Sequence, residues 1–189
     1  MASSHDSLLL VFFMFFALFL IFVALPAHAE TPPVFLNELI LMGSSTSTAD
    51  EWIELRNLTD QPIDLSGWSL TKRSNGQQVP MLTIPSGMQI PAGGFFLMSN
   101  YGLGAKSILS ITPDVINTDV ALANSDLQIE LRDSTGAVID TAGSGTKLPF
   151  AGINQMSDHH LSSMERNSDP GDGTQASNWH SATSAIHLV

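Results

Sequence analysis

Residues 50–70 read DEWIELRNLTDQPIDLSGWSL. From Glu51 to Asn57 the side chains alternate, with Ile53 and Leu55 on one side and Trp52, Glu54 and Arg56 on the other. That period of two is the signature of a β-strand. A polar turn, Thr59-Asp60-Gln61-Pro62, then reverses the chain, and Ile63 and Leu65 lead into Ser66-Gly67-Trp68. Asn57 ends the strand where free backbone groups need partners, and Asx side chains supply them. Trp68 is expected to fill a core corner, with Gly67 letting the backbone bend close to its ring.

Working outward, the same grammar recurs: short alternating runs bounded by Gly, Pro, Asn and Ser, with no long helical period. Such spacing predicts an all-β sandwich or barrel. Strands are expected over Val34–Met42, Glu51–Leu58, Gly67–Lys72, Val79–Ile84 and Phe95–Ser99. Asp126–Asp133, Ala137–Thr141 and Leu161–Arg166 follow. Asn75-Gly76 predicts a tight hairpin, because both residues tolerate positive φ. Two Pro-x-Gly turns, Pro85-Ser86-Gly87 and Pro91-Ala92-Gly93, predict a corner between sheets. Asn100–Thr118 reads as irregular, a short helix or a lid-like loop, and Gly143–Ser157 as a long loop. Trp179 is expected to tie the polar stretch Asn167–Asn178 back onto the core.

The start of the chain has a different composition. Leu8–Leu25 is an unbroken apolar run, followed by Pro26 and the small-x-small triplet Ala27-His28-Ala29. This predicts a secretory signal over 1–29 with cleavage after Ala29. The segment before the run lacks Lys and Arg, and the run is long enough for an uncleaved membrane anchor to stand as the alternative. Residues 30–33 then form a short linker, 34–181 one sandwich domain, and 182–189 a C-terminal tail. The chain of 189 residues contains no cysteine, so packing alone must hold the fold. Its net charge of −11 repels phosphate backbones and anionic headgroups, which argues against nucleic acid. The one basic pair, Lys72-Arg73, is expected in a solvated turn. Membrane contact is expected only through residues 1–29, if these are retained.

Six pieces together resemble the lamin tail domain family: FLNELIL (Phe35–Leu41), DEWIELRN (Asp50–Asn57), DLSGWSL (Asp64–Leu70), IPSGMQIPAGGFFLM (Ile84–Met98), LANSDLQIELRDSTGAVIDTA (Leu122–Ala142) and SMERNSDPGDGTQASNW (Ser163–Trp179). They stand in the family's order over roughly residues 34–180. The resemblance implies an immunoglobulin-like antiparallel β-sandwich of lamin-tail type. It also implies a non-catalytic, free-standing secreted or surface module that attaches to a protein or cell-envelope component, with no catalytic or cofactor residues to carry over. In nuclear lamins such a domain meets partner proteins and chromatin; the acidic charge here argues against the chromatin contact.

No Gly-x-Ser-x-Gly elbow surrounds any serine, so Ser with His159 or His160 reads as exposed loop side chains. Glu51 and Glu54 fall on opposite sides of a strand and do not converge, and Glu38 could approach either only through sheet pairing. Asp158, His159 and His160, with His180 or His187 as a further ligand, form a possible metal cluster, but exposed His in a loop explain them better. Asp169 and Asp172, in Asp169-Pro170-Gly171-Asp172-Gly173, have the composition of a calcium loop without its ligand spacing. The expected metal, cofactor and catalytic set is therefore none. A carbohydrate or cell-wall binding domain is an alternative, with Tyr101, Phe150 and Trp52 as stacking candidates, although burial in the core is the stronger expectation for each. A weakly calcium-dependent surface protein or hydrolase accessory domain is another. Asn57-Leu58-Thr59 matches a glycosylation acceptor. Asp140 interrupts an apolar run and, if buried, must have a partner. Gly43–Ala49, Asn100–Thr118 and Gly143–Ser157 are the loops expected to carry contacts.

Overall fold

A computed structural model describes residues 32–155 and 160–183, residues 154, 155 and 160 by backbone alone. The expected signal segment, its cleavage site, Asp158, His159 and His187 lie outside the described residues. The described residues belong to one compact unit.

The alternating runs become strands, arranged in two main sheets. One has six strands in the order β14-β13-β1-β2-β7-β8: Trp179–Ser181, Met164–Arg166, Val34–Ile40, Trp52–Asn57, Phe95–Ser99 and Val115–Ile116. The other has four, β10-β9-β4-β5: Val138–Ala142, Ile129–Arg132, Ser69–Ser74 and Gln77–Thr83. Two small ladders complete the set, β3 (Ile63–Asp64) with β6 (Gln89–Ile90) and β11 (Ile153–Gln155) with β12 (His160–Ser162). All pairs are antiparallel except β7 with β8, a parallel edge pair. The expected immunoglobulin-like sandwich is thus the observed architecture.

The main core lies between the sheets. Leu36, Leu39, Ile53, Leu55, Phe96 and Met98 from the six-stranded sheet meet Leu70, Leu82, Ile129 and Leu131 from the other. Trp68 packs, half-buried, against this core. Its neighbour Gly67 has φ of 74°, and a Cβ there would meet only the Ser134 side chain at 3.6 Å. The glycine is therefore required by its left-handed backbone, not by close approach to the ring. Asn75 and Gly76, with φ of 50° and 79°, make the expected hairpin turn between β4 and β5.

Trp52 lies on the side the alternation gave it, and that side is covered. It projects away from the main core, as Glu54 and Arg56 do, yet it is fully buried. With Ile40, Leu97 and Leu109 it builds a second apolar cluster on the outer face of the six-stranded sheet. Residues 100–118 cover that cluster and contain β8 but no helix. Their fastenings are specific: the Ile108 amide donates to Asp50 Oδ2 at 2.8 Å, the Leu97 amide to Asp114 Oδ2 at 2.8 Å, and Asn100 Nδ2 to the Thr118 and Val120 carbonyls at 3.0 and 2.9 Å. Lys72 and Arg73 also differ from expectation. They lie inside β4, where Lys72 Nζ donates to the Ala121 carbonyl at 3.0 Å and Arg73 Nη1 to Gln128 Oε1 at 3.4 Å.

Two polar residues lock corners. Asn57 is fully buried and donates to the carbonyls of Gln61 (2.8 Å) and Pro91 (2.9 Å), while its Oδ1 accepts from the Thr59 amide (2.9 Å) and hydroxyl (2.8 Å). Asp140 faces inward and accepts from Arg166 Nη2 at 2.6 Å and from the Leu36 amide at 2.9 Å, so it joins β10 of one sheet to β13 and β1 of the other. Trp179 does tie the far end back: β14 pairs with β13, and its indole donates to the Gly173 carbonyl at 2.9 Å.

Candidate functional site

Where the 100–118 cover stops, the outer face of the six-stranded sheet stays open. Strand register decides what it presents. His180 is opposite Glu165, Glu165 opposite Glu38, Glu38 opposite Glu54, and Glu54 opposite Leu97. Directly paired residues project to the same side. Three carboxyls and an imidazole therefore form one row across β14, β13, β1 and β2. In the adjacent row Arg56 pairs with Phe95, its guanidinium carbon 5.6 Å from the ring centre. These residues, with Asn37, line an open basin of about 570 Å³.

A bulge shapes the row. Between Leu36 and Glu38 the register slips by one residue, so β1 carries an extra position at Asn37. A bulge of this kind bends the strand and re-aims a side chain. Here the freed Asn37 Nδ2 donates to Glu54 Oε1 at 2.7 Å. Glu38 receives the Ser163 hydroxyl proton from the turn before β13. Glu165 contacts His180 Nε2 at 3.2 Å, and His180 Nδ1 bonds Asn167 Oδ1 at 2.9 Å.

Glu38 and Glu54 are only 2% and 4% exposed, whereas Glu165 and His180 stay partly open. Burial pushes the Glu38 carboxyl up to about 7, against the Ser163 hydrogen bond and with the help of the nearby Glu165 charge. Burial pushes Glu54 up to about 8; the Asn37 hydrogen bond and Arg56 oppose this, and Glu38 and Glu165 add to it. The basin floor is thus a pair of carboxyls that keep their protons to near neutral pH.

Sequence pairing rules could only mention Glu38; the register brings it opposite Glu54. Glu51 is elsewhere, its Oε2 accepting from the Leu122 amide at 2.8 Å, so it and Glu54 do not converge. The sequence placed Arg56 on the face of Glu54 but gave no reason to join Glu165 to them. Their alternation with apolar neighbours was visible, but only register shows that these residues align.

The remaining candidates disperse. Trp52 is buried and has no ring face to offer a sugar. Tyr101 and Phe150 are half-buried on separate segments, Phe150 against the main core. Asp172 Oδ1 caps the Thr174 amide (2.8 Å) and hydroxyl (2.7 Å), and these bonds hold its carboxyl below the usual range. The carbonyls of Pro170 and Gly171 in the same turn face a cation already in place, accepting from Arg166 Nη1 at 3.2 Å each. Among the described residues no three His, Asp or Glu converge in metal-ligating geometry. Asn57 is buried with its amide protons donated, so it is closed to glycosylation in the folded chain.

Among curated proteins none matches the chain. A family model, Lamin Tail Domain, matches residues 27–146. That span holds β1 to β10; Glu165, Arg166 and His180 lie beyond it, on strands that complete the six-stranded sheet. With most of its length matched and its two sheets packed as an immunoglobulin-like sandwich, the chain belongs to the lamin tail domain family, a family of non-enzymatic modules.

Proposed function

We propose that this protein is a non-catalytic attachment module, exported through residues 1–29, that binds a protein or cell-envelope component through the basin on its six-stranded sheet. One observation carries the reading: the outer sheet face is sealed over Trp52 and left open over the Glu38–Glu54–Glu165 row. The three loops expected to bind are a weaker choice. Residues 100–118 serve as a cover fastened by buried hydrogen bonds, and Gly43 sits in a turn so tight that a Cβ there would meet the Ser47 carbonyl oxygen at 2.4 Å. The Gly143–Ser157 stretch holds β11, paired with β12.

The test is retention of a tagged envelope fraction on immobilised protein, with half of the fraction treated with protease. Glu165→Arg serves as the control, since Glu165 is partly exposed and its reversal changes the basin without touching the core. Retention that is lost both after protease and in Glu165→Arg supports a protein partner at the basin. Retention that survives protease replaces this reading with the carbohydrate or cell-wall one. Retention unchanged by Glu165→Arg moves the docking face elsewhere.

A further inference from the structure

Glu38 and Glu54 face each other on β1 and β2, and Glu165 faces Glu38 from β13. The backbone ladders fix these positions, so the carboxyls cannot separate without breaking strand pairs. Like charges opposite one another destabilise a ladder, and here two of the three are almost out of water.

The surrounding charges do not balance a fully ionised row. From β2, Arg56 faces Glu54, but its guanidinium also lies over Phe95. From β14, His180 engages Glu165 rather than the buried pair. On β7 the residues opposite Glu54 and Arg56 are Leu97 and Phe95, which bring no charge. Asn37 and the turn before β13 bring only an amide and the Ser163 hydroxyl. The other nearby cation on β13, Arg166, is bound to Asp140 from the opposite sheet.

We propose that the Glu38–Glu54 pair is a proton-operated latch on the six-stranded sheet, closed when both carboxyls hold protons and loosened when both ionise. The loosening runs toward the β13–β14 edge. Glu38 joins β1 to β13 there, and β14 pairs with β13 alone in the sheet. This device does not depend on what the basin binds.

The sign follows from linkage. The unfolded carboxyls lose their protons near 4.5, whereas the folded ones keep theirs to about 7 and about 8. Between those limits the folded state binds more protons, so stability falls as pH rises and levels off once both carboxyls have ionised.

Three readings on the full-length chain test the latch. Carbon-13 shifts of the glutamate carboxyls should show Glu38 and Glu54 titrating near or above neutrality. Amide exchange in β1, β13 and β14, corrected for the intrinsic effect of pH, should quicken from about pH 4.5 to about pH 8 relative to β4 and β9. The melting temperature should fall over the same range. Glu38→Gln with Glu54→Gln keeps the shape and removes the charge, so its exchange and melting should lose most of that dependence. Should the double variant not fold, the carboxyl titration of the natural chain decides. Titration of both residues near the ordinary value of about 4.3 would overturn the latch. So would a double variant that keeps the natural pH dependence.

Discussion

At the scale of single residues, buried polar groups hold this fold in place of the missing disulfides. Asp140 is the clearest case. Its carboxylate binds Arg166 and the Leu36 amide, while the Arg166 guanidinium carbon lies 4.3 Å from the Trp179 ring centre and its nitrogens reach the Pro170 and Gly171 carbonyls. Burial pushes Asp140 up and Arg166 down, and their mutual attraction opposes both shifts. Removing one member leaves the other charged and buried, which costs about 3–5 kcal/mol. Asp140→Ala should lose stability on that scale in urea unfolding. Asp140→Leu with Arg166→Met should lose much less than the sum of its single variants. It should still be weaker than the natural chain by about 1–3 kcal/mol, because the Leu36 amide and two carbonyls lose partners. Strict additivity would show that the pair is not coupled. The sequence stated the condition, a partner if Asp140 is buried, but not the partner: Arg166 is 26 positions away, and only the packing of β10 against β13 joins them. Asn57 was more legible, because three of its four bonds close within four residues of its own position.

At the scale of elements, legibility followed length. Strands of five to seven residues with alternating side chains, such as Trp52–Asn57 and Phe95–Ser99, announce themselves. Ladders of two or three residues, such as Ile63–Asp64 and Val115–Ile116, are too short to show a period and were hidden in turns. The bulge at Asn37 was invisible for a different reason: it is a property of a strand pair, not of a strand. Without it the Glu38–Glu54 row cannot be drawn, so the site was the least legible part of the molecule. The segment that covers Trp52 was hidden for a similar reason. Alternation reports which residues share a side, not whether a distant segment covers that side. Trp52→Ala should cost about 3–5 kcal/mol, the usual range for emptying a large aromatic site. Because Leu109 packs on Trp52, the loss should concentrate in the cover. Limited proteolysis of the variant should then cut within residues 100–118 before it cuts β4 or β9. Cleavage spread evenly over the chain would mean that the second cluster is not a separable unit.

At the scale of the whole molecule, two sets of carboxyls pull stability in opposite directions with pH. Asp64, Asp133 and Asp172 are held below their ordinary value by hydrogen bonds, to Ser66, Thr135 and Thr174 respectively. Their contribution is present above the unfolded value of 3.8 and fades as pH falls through the folded one. Glu38 and Glu54 are raised by burial to about 7 and about 8, so their contribution is greatest at low pH and drains away toward neutrality and just beyond it. The stability maximum should therefore lie on the acid side of neutral, between the two windows. Glu38 alone, moved from 4.5 to about 7, gives a loss on the order of 3 kcal/mol across its window. A net charge of −11 predicts the same direction through general self-repulsion. Salt separates the causes, since about 1 M salt shortens screening to about 3 Å and suppresses repulsion between surface charges but not between buried ones. Melting curves across pH at low and high salt should both peak on the acid side. A fall toward alkaline pH that vanishes in high salt would assign the effect to the surface. A fall that persists assigns it to the carboxyls buried in the sheet.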